Sequence, residues 1–264
     1  MKKILIALLL VTLSLTGCGG EKNLQGVDAN SSRKIVIGVD DEFPPICFRN
    51  EKNELVGFDI DLAKEAASRM GVDVEFKPIA WNKKREEITS GKIDMIWNGL
   101  DITEDRKEYM IFTKPYMDDR QIILVRKDSD FNIHSEGDLE GKIVGTQAGS
   151  TSDCYLRQDE NLKSSFKEYK TYGKFFGLID ALKNGEIDVL VCDELIARYE
   201  KNKNPDELEL IGIKIGTIMK TAIGLSKDNV ALRDEVQNVF DQMVADGTAK
   251  KISMEWFNAD LIKY

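Results

Sequence analysis

The residues best suited to chemistry lie in one stretch, Gly91 to Tyr116 (GKIDMIWNGLDITEDRKEYMIFTKPY). Ile93, Met95, Ile96 and Trp97 make an apolar run that predicts a buried strand. Asn98-Gly99 ends it as a turn pair that exposes backbone groups. Asp101 and Thr103 follow, and Arg106 falls in a short helical turn. A backbone rim, a carboxylate, a hydroxyl and a guanidinium therefore meet past the carboxyl end of one strand, where open α/β sheets bind ligands. Arginine offers a bidentate fork to a carboxylate and aspartate accepts from an ammonium, so this set suits both ends of a zwitterion. The competing reading is a surface ion pair between Arg106 and Asp101 or Glu104.

The elements that must position these groups alternate between strand and helix. Lys34 to Val39 predicts a buried strand, stopped by Asp40-Asp41-Glu42-Phe43-Pro44-Pro45 because proline lacks the ladder donor. Gly57 to Met70 places Phe58, Ile60, Leu62, Ala63, Ala66, Ala67 and Met70 at helical spacing, with Gly71 as the stop. Val72 to Phe76 alternates as a strand, Trp81 follows in a loop, and a helix runs from Asn82 to about Ser90. This β-α-β-α-β order implies a parallel sheet with right-handed crossovers.

Arg120 to Lys127 is a strand with no helix after it, read as a crossing segment. Lys142 to Thr146 begins a second series, and Gly149-Ser150-Thr151-Ser152 opens a helix with hydroxyls ready to cap it. Phe166 to Lys170 is a strand, Tyr172 to Asn184 a helix, and Ile187 to Cys192 a buried strand ending at Asp193. Thr217 to Lys227 is long enough to cross back, and Val230 to Ala245 and a segment through Ile252 and Trp256 are helices. An internal echo supports two similar lobes. Gly91-Lys-Ile93-Asp94 and Gly185-Glu-Ile187-Asp188 each precede an apolar strand and lie 94 positions apart, 185 less 91. Asp94 and Asp188 read as structural turn residues. The echo sets Asn98-Gly99 and Cys192-Asp193 at equivalent strand ends, and two such ends facing each other make a cleft.

The first residues carry Lys2 and Lys3, an apolar Ile4 to Leu15 and Leu15-Thr16-Gly17-Cys18, which reads as a lipoprotein signal peptide with Cys18 as the lipidated residue. Residues 19–33 are polar and read as a flexible tether. Without 1–18 the chain has 35 basic and 46 acidic residues, a net charge of −11. Such a balance without a basic cluster argues against nucleic acid and anionic membrane surfaces as partners. The expected localisation is extracytoplasmic, anchored to the outer face of a Gram-positive-type cell membrane by lipid alone. Three cysteines remain, Cys47, Cys154 and Cys192, and both a Cys154–Cys192 bridge and free thiols stay open. His134 is the single histidine and no C-x-x-C pair occurs, so zinc sites and histidine-dependent triads lack their residues. No metal or cofactor is expected.

From Lys34 to Trp256 the chain resembles the polar amino-acid-binding proteins of ABC importers, the family of the histidine, glutamine and lysine/arginine/ornithine binders. The residues that carry this are Asp40-x-x-Phe43-x-Pro45, Leu55-Val-Gly57-Phe58-Asp59-Ile60-Asp61-Leu62-Ala63, Gly91-Lys-Ile-Asp94, Ile102-Thr103-x-x-Arg106, Phe112-x-x-Pro115-Tyr116, Gly149-Ser-Thr151, Gly224-Leu225 and Asp246-Gly247-Thr248. The resemblance implies an α/β fold of two Rossmann-like lobes joined by two hinge strands, the type II periplasmic binding protein fold. Lobe 1 is expected at 34–117 and 220–264, and lobe 2 at 118–219.

It also implies a monomeric protein that closes over a free L-amino acid and delivers it to an ABC permease and its ATPase. Arg106 would hold the α-carboxylate. Thr151 and the backbone N–H groups of Gly149, Ser150 and Thr151 would add donors at a helix N-terminus, which favours anions. Asp193 would take the α-ammonium, Asn98 and Gly99 would offer carbonyls, Phe43 and Trp81 would pack on the side chain, and Asp40 would sit near its far end. Asp101 departs from the Ser or Thr of many relatives, and puts two carboxylates around one amine or reaches for a cationic side chain. Two rivals use the same scaffold: a cyclohexadienyl-dehydratase-like enzyme with Asp101 and Asp193 as acid and base, and an extracellular amino-acid sensor domain.

Overall fold

The echo between Gly91 and Gly185 shows how each half is built. A computed structural model of the chain describes residues 33–263, so the expected signal peptide, Cys18 and all but the last residue of the tether lie outside the described residues. In the first half the Asp94 carboxylate accepts from the Val36 N–H at 2.7 Å, while the Asp94 N–H donates to the Val36 carbonyl at 2.8 Å. In the second half Asp188 makes the same pair of bonds with Ile143, both at 2.8 Å. Each aspartate thus supplies the partners that the incoming strand would otherwise lack at its open end. Gly91 and Gly185 turn the chain into this position with φ of +71° and +75°.

In chain order the elements are β1 (Lys34–Val39), β2 (Glu42–Phe43), β3 (Cys47–Arg49), β4 (Leu55–Val56), α1 (Phe58–Met70), β5 (Asp73–Pro78), a 3₁₀ turn (Trp81–Lys83), α2 (Lys84–Thr89), β6 (Met95–Ile96), α3 (Glu104–Lys107) and β7 (Met110–Phe112). There follow β8 (Met117–Arg126), β9 (Ile143–Gln147), α4 (Thr151–Gln158), α5 (Glu160–Ser165), β10 (Glu168–Tyr172), α6 (Phe175–Lys183), β11 (Val189–Asp193), α7 (Glu194–Lys203), β12 (Leu208–Thr221), β13 (Gly224–Ser226), α8 (Val230–Ala245) and α9 (Thr248–Phe257).

One five-stranded sheet has the order β5-β1-β6-β13-β7 and the other β10-β9-β11-β8-β12, while β2, β3 and β4 form a small third sheet. In the first, β1 pairs in parallel with β5 and β6, and β13 runs antiparallel. In the second, β9 pairs in parallel with β10 and β11, while β8 is antiparallel to β11 and β12. The protein is therefore two α/β lobes of related plan joined by two strands. β8 and β12 pair along much of their length, from Met117 opposite Thr221 to Arg126 opposite Leu208.

Three expectations need correction. The expected crossing strand over Thr217 to Lys227 is the end of β12 followed, after Ala222-Ile223, by the separate β13. The run from Ile93 to Trp97 pairs only at Met95 and Ile96, because Asp94 is turned inward to Val36. The helix expected from Tyr172 starts at Phe175, since Tyr172 extends β10. Ile37, Phe58, Ile60, Leu62, Trp97 and Phe240 fill the core beneath the first sheet, and Val144, Leu156, Val189 and Val191 a second cluster in the other lobe. Cys47, Cys154 and Cys192 are free thiols. No helix among the described residues is long and apolar enough to cross a membrane.

Candidate functional site

The strand ends of the two lobes face each other across a narrow cavity. Its walls hold Asp40, Phe43, Trp81, Asn98, Gly99 and Arg106 from one lobe. From the other come Thr146, Gln147, Ser150, Thr151, Phe175, Cys192 and Asp193. Of the residues singled out in the sequence, only Asp101 and Gly149 do not line it. Both lie directly behind the wall.

Arg106 is held by the turn that carries it. Thr103 caps α3 by accepting from the Arg106 N–H at 3.2 Å, and this aims the side chain inward. Arg106 is 2% exposed. One terminal nitrogen, Nη1, donates to the Asp101 carbonyl at 2.7 Å and to Thr151 Oγ1 at 3.4 Å, and Nη2 donates to the Gly149 carbonyl at 3.5 Å. Nε has no partner. Among the described residues no carboxylate lies within ion-pair distance of this buried cation.

The acids gather across the cavity. Asp193 ends β11 and precedes α7 but makes no side-chain cap there. Its Oδ1 instead accepts from Gln121 Nε2 at 2.5 Å, and the same nitrogen donates to Asp119 Oδ2 at 2.5 Å. The Gln121 Oε1 accepts from the Ser152 hydroxyl, so the amide is oriented with its donors toward the acids. Asp101 accepts from Thr151 Oγ1 at 2.8 Å and Thr221 Oγ1 at 3.0 Å. Burial, and next the negative charge of Asp101, push Asp193 up to about 7. Burial raises Asp101 as well, opposed by Arg106, and holds Asp119 well above the usual carboxylate range. One oxygen from each of these three acids lies within 4.8 Å of the others, close enough to gather a cation. The Gln121 N–H donors point into that space, a poor feature for a metal cage and a good one for acids that share protons or take an ammonium.

Aromatic rings shape the rest. Phe43 and Phe175 meet edge to face across the lobes with centroids 6.0 Å apart, and Trp81 is buried beside them. At this end Asp40 Oδ2 accepts from Gln147 Nε2 at 2.5 Å and Oδ1 from the Glu42 N–H at 3.0 Å. Burial raises the Asp40 pKa against those bonds.

The loop before α4 behaves differently from expectation. Ser150 caps α4 by accepting from the Asp153 N–H at 3.0 Å. The Gly149 N–H donates to Asp153 Oδ2 at 2.7 Å and the Ser150 N–H to the Gln147 carbonyl at 3.1 Å. Of the three expected backbone donors, only Thr151 N–H remains for a ligand, alongside the Thr151 hydroxyl. Gly149 contributes its carbonyl, which accepts from Lys84 Nζ at 2.5 Å across the cleft. Asn98 and Gly99 line the cavity, and two of their groups are engaged: the Asp40 N–H donates to Asn98 Oδ1 at 3.1 Å and the Gly99 N–H to Asp59 Oδ2 at 2.6 Å.

Sequence reasoning missed Thr146, Gln147 and Phe175 on the wall, and Lys84, Asp119 and Gln121 behind it. The two lobes offer a usable signal for Thr146 and Gln147, which end β9 where Val39 ends β1 and Asp40 follows it.

Residues 35–259 match the model of the bacterial extracellular solute-binding proteins, family 3, and the chain belongs to that family. The ABC transporter arginine-binding protein 1 of Escherichia coli is 31% identical, with 97% of this chain and 99% of that protein covered. The histidine-binding periplasmic protein of Salmonella typhimurium is 31% identical over 87% of this chain and 89% of its own length. A crystal structure of an ABC uptake transporter substrate-binding protein from Streptococcus pneumoniae with bound histidine superposes with a TM-score of 0.82 at 32% identity, covering 88% of this chain and 95% of that one.

Proposed function

We propose that this family 3 solute-binding protein captures one free polar or cationic L-amino acid between its lobes and delivers it to an ABC permease. Lobe 1 comprises 34–117 and 220–264, lobe 2 comprises 118–219, and lipid on Cys18 tethers both to the outer face of the membrane. The observation that carries this reading is Arg106, a buried guanidinium with an unpartnered Nε and no carboxylate, facing a cavity whose other wall holds Asp193. A buried charge without a partner is costly. A zwitterion supplies the missing carboxylate to Arg106 and an ammonium to Asp193 in one molecule. The Thr151 hydroxyl and N–H at the start of α4 add donors for the carboxylate.

Phe43, Trp81 and Phe175 then flank the ligand side chain, and Asp40 with Gln147 receives its polar end. The names of the arginine- and histidine-binding relatives agree with such an end group. Closure follows because each lobe gains contacts with the same molecule. The test is titration calorimetry of wild type and Arg106→Ala with L-arginine, L-histidine and L-glutamine. Removing one partner of a buried charge pair costs about 2–5 kcal/mol, a loss of roughly thirty-fold to several-thousand-fold. Unchanged affinity in a variant with native circular dichroism rules out Arg106 as the carboxylate site. Turnover of a prephenate-like acid would instead put Asp101 and Asp193 to work as acid and base.

A further inference from the structure

The proposed ammonium site holds more carboxylates than one amine requires. Asp101, Asp119 and Asp193 converge there against the single guanidinium of Arg106. Asp101 satisfies its oxygens with two hydroxyl donors, Thr151 and Thr221. Asp119 and Asp193 share one side-chain donor, the Gln121 amide nitrogen, and Asp119 has only the Arg120 backbone N–H besides. A buried and a half-buried carboxylate that share one amide beside a third acid resist ionising together, because their like charges lie close in a largely desolvated space. The two members of this pair also face different spaces. Asp193 lines the cleft, whereas Asp119 lines a separate hinge cavity walled by Arg120, Glu194, Tyr199 and Trp256.

We propose that Asp119 and Asp193 share one proton in the ligand-free protein, that the ammonium of the ligand displaces it, and that it leaves by way of Asp119 into the hinge cavity. The inference rests on the amino-acid reading of the cleft. In the step, the shared carboxyl O–H bond breaks, the proton passes to water in the hinge cavity, and an ammonium N–H···O bond forms at Asp193. The zwitterion enters neutral and one proton departs, so the closed site gains one negative charge. That charge lies against the ligand ammonium. The exit matters because the cleft is shut on its other side by bonds between the lobes, from Lys84 to the Gly149 carbonyl and from Gln147 to Asp40.

The charged and titratable groups around the pair leave it as the group that titrates. Asp101 and Arg106 face it from the first lobe. On its own strand Cys192 is a thiol whose pKa burial raises well above the ordinary value. Arg120 on β8 is paired with Glu194 of α7 at 2.7 Å, and Asp118 with Lys220 of β12. From α4 come only the Thr151 and Ser152 hydroxyls. Burial, and next the charge of Asp101, push Asp193 up to about 7 in the empty site with the lobes together, and an adjacent ammonium lowers it in the complex. Below that value the free protein holds more protons than the complex. Affinity therefore falls roughly tenfold per pH unit on the acid side.

The experiment is calorimetry of L-arginine and L-glutamine binding to the wild-type protein at about pH 6, in two buffers of different ionisation enthalpy, with infrared spectra of the ligand-free protein across the same range. About one proton released per ligand is expected, with a protonated-carboxyl C=O band that disappears as pH rises through neutrality. In Asp119→Asn the remaining Asp193 ionises without a rival. Proton release and the acid-side loss of affinity should both disappear, along with the band. Binding in wild type with no proton released overturns the displacement while leaving amino-acid capture intact. Release that persists in Asp119→Asn overturns the role of Asp119. An absence of heat with every amino acid overturns capture and displacement together.

Discussion

Replacing Gly149 by Ala separates closure from folding, because the two costs arise in different states. Gly149 has φ of +75°, so an alanine there carries the left-handed penalty of about 1–2 kcal/mol whatever the lobes do. An added Cβ would also sit 2.9 Å from Asn82 Cα, 3.2 Å from Lys84 Nζ and 3.4 Å from Asn82 Cβ. Asn82 belongs to the 3₁₀ turn of the opposite lobe, and its backbone cannot step aside as a flexible side chain can. To restore ordinary contact the lobes must part by about half an ångström or more. The bonds lost first are Lys84 to the Gly149 carbonyl and Thr151 to Asp101. Hydrogen bonds involving a charged group contribute about 1.5–3 kcal/mol each. Losing one fully, or both in part, weakens binding on the order of ten- to two-hundred-fold.

Gly71→Ala is the control. Gly71 ends α1 with φ of +66° and has nothing within 4 Å of an added Cβ. It carries the backbone penalty without the collision. Both variants should lose about 2–8 °C in Tm without ligand, by calorimetry. Only Gly149→Ala should lose affinity for L-arginine and show a wider lobe separation by small-angle scattering. The reasoning is refuted if Gly149→Ala binds within twofold of wild type, or if both variants weaken binding equally.

Lys84 gives a prediction on the alkaline side. Burial, and next the charge of Arg106, lower its pKa to about 7, whereas parting the lobes returns it to water and toward 10.5. Between these values the open form holds more protons, so rising pH favours the closed form. Wild-type affinity should therefore climb between about pH 7 and 9. Lys84→Met should flatten that climb, and an unchanged slope in the variant would show that Lys84 does not titrate with closure. Asp94→Asn and Asp188→Asn each weaken a carboxylate bond to a strand N–H, at Val36 and Ile143. Each should cost about 1–3 kcal/mol in chemical denaturation while leaving affinity nearly unchanged, and a clearly unequal cost would break the equivalence of the two lobes.

The sequence revealed groups whose role is set within a few residues. α1 and α8 appeared from apolar spacing, and the Ser150 cap from a hydroxyl before a helix. Arg106 stood out because Thr103 and Asp101 beside it already define its turn. β12 was legible only at its end. Its ladder shifts register between Ile211 and Lys214 and again between Ile215 and Met219, so its exposure does not alternate with a period of two. Lys84 lies in Lys83-Lys84-Arg85-Glu86, a run that reads as a solvated helix face, and becomes buried beneath the loop before α4 some 65 residues on. Asp119 sits in Asp118-Asp119-Arg120, equally surface-like. Strand alternation turns Asp118 and Arg120 outward into ion pairs and leaves Asp119 facing Asp193.

Thr151 shows why the charges of the cleft act together rather than separately. Its hydroxyl belongs to the second lobe, yet it donates to Asp101 and lies 3.4 Å from an Arg106 nitrogen, both in the first. Parting the lobes removes one donor from Asp101 and one acceptor from Arg106 in a single movement. A ligand carboxylate on Arg106 makes the nearby Thr151 N–H and the start of α4 favourable neighbours. A ligand ammonium at Asp193 relieves the crowding of acids that closure creates. Neither half alone does both: a simple carboxylic acid leaves the acids crowded, and a simple amine leaves the guanidinium unpaired. Selectivity for an α-amino acid over either fragment then follows from closure itself, since the closed form is costly with only one charge answered.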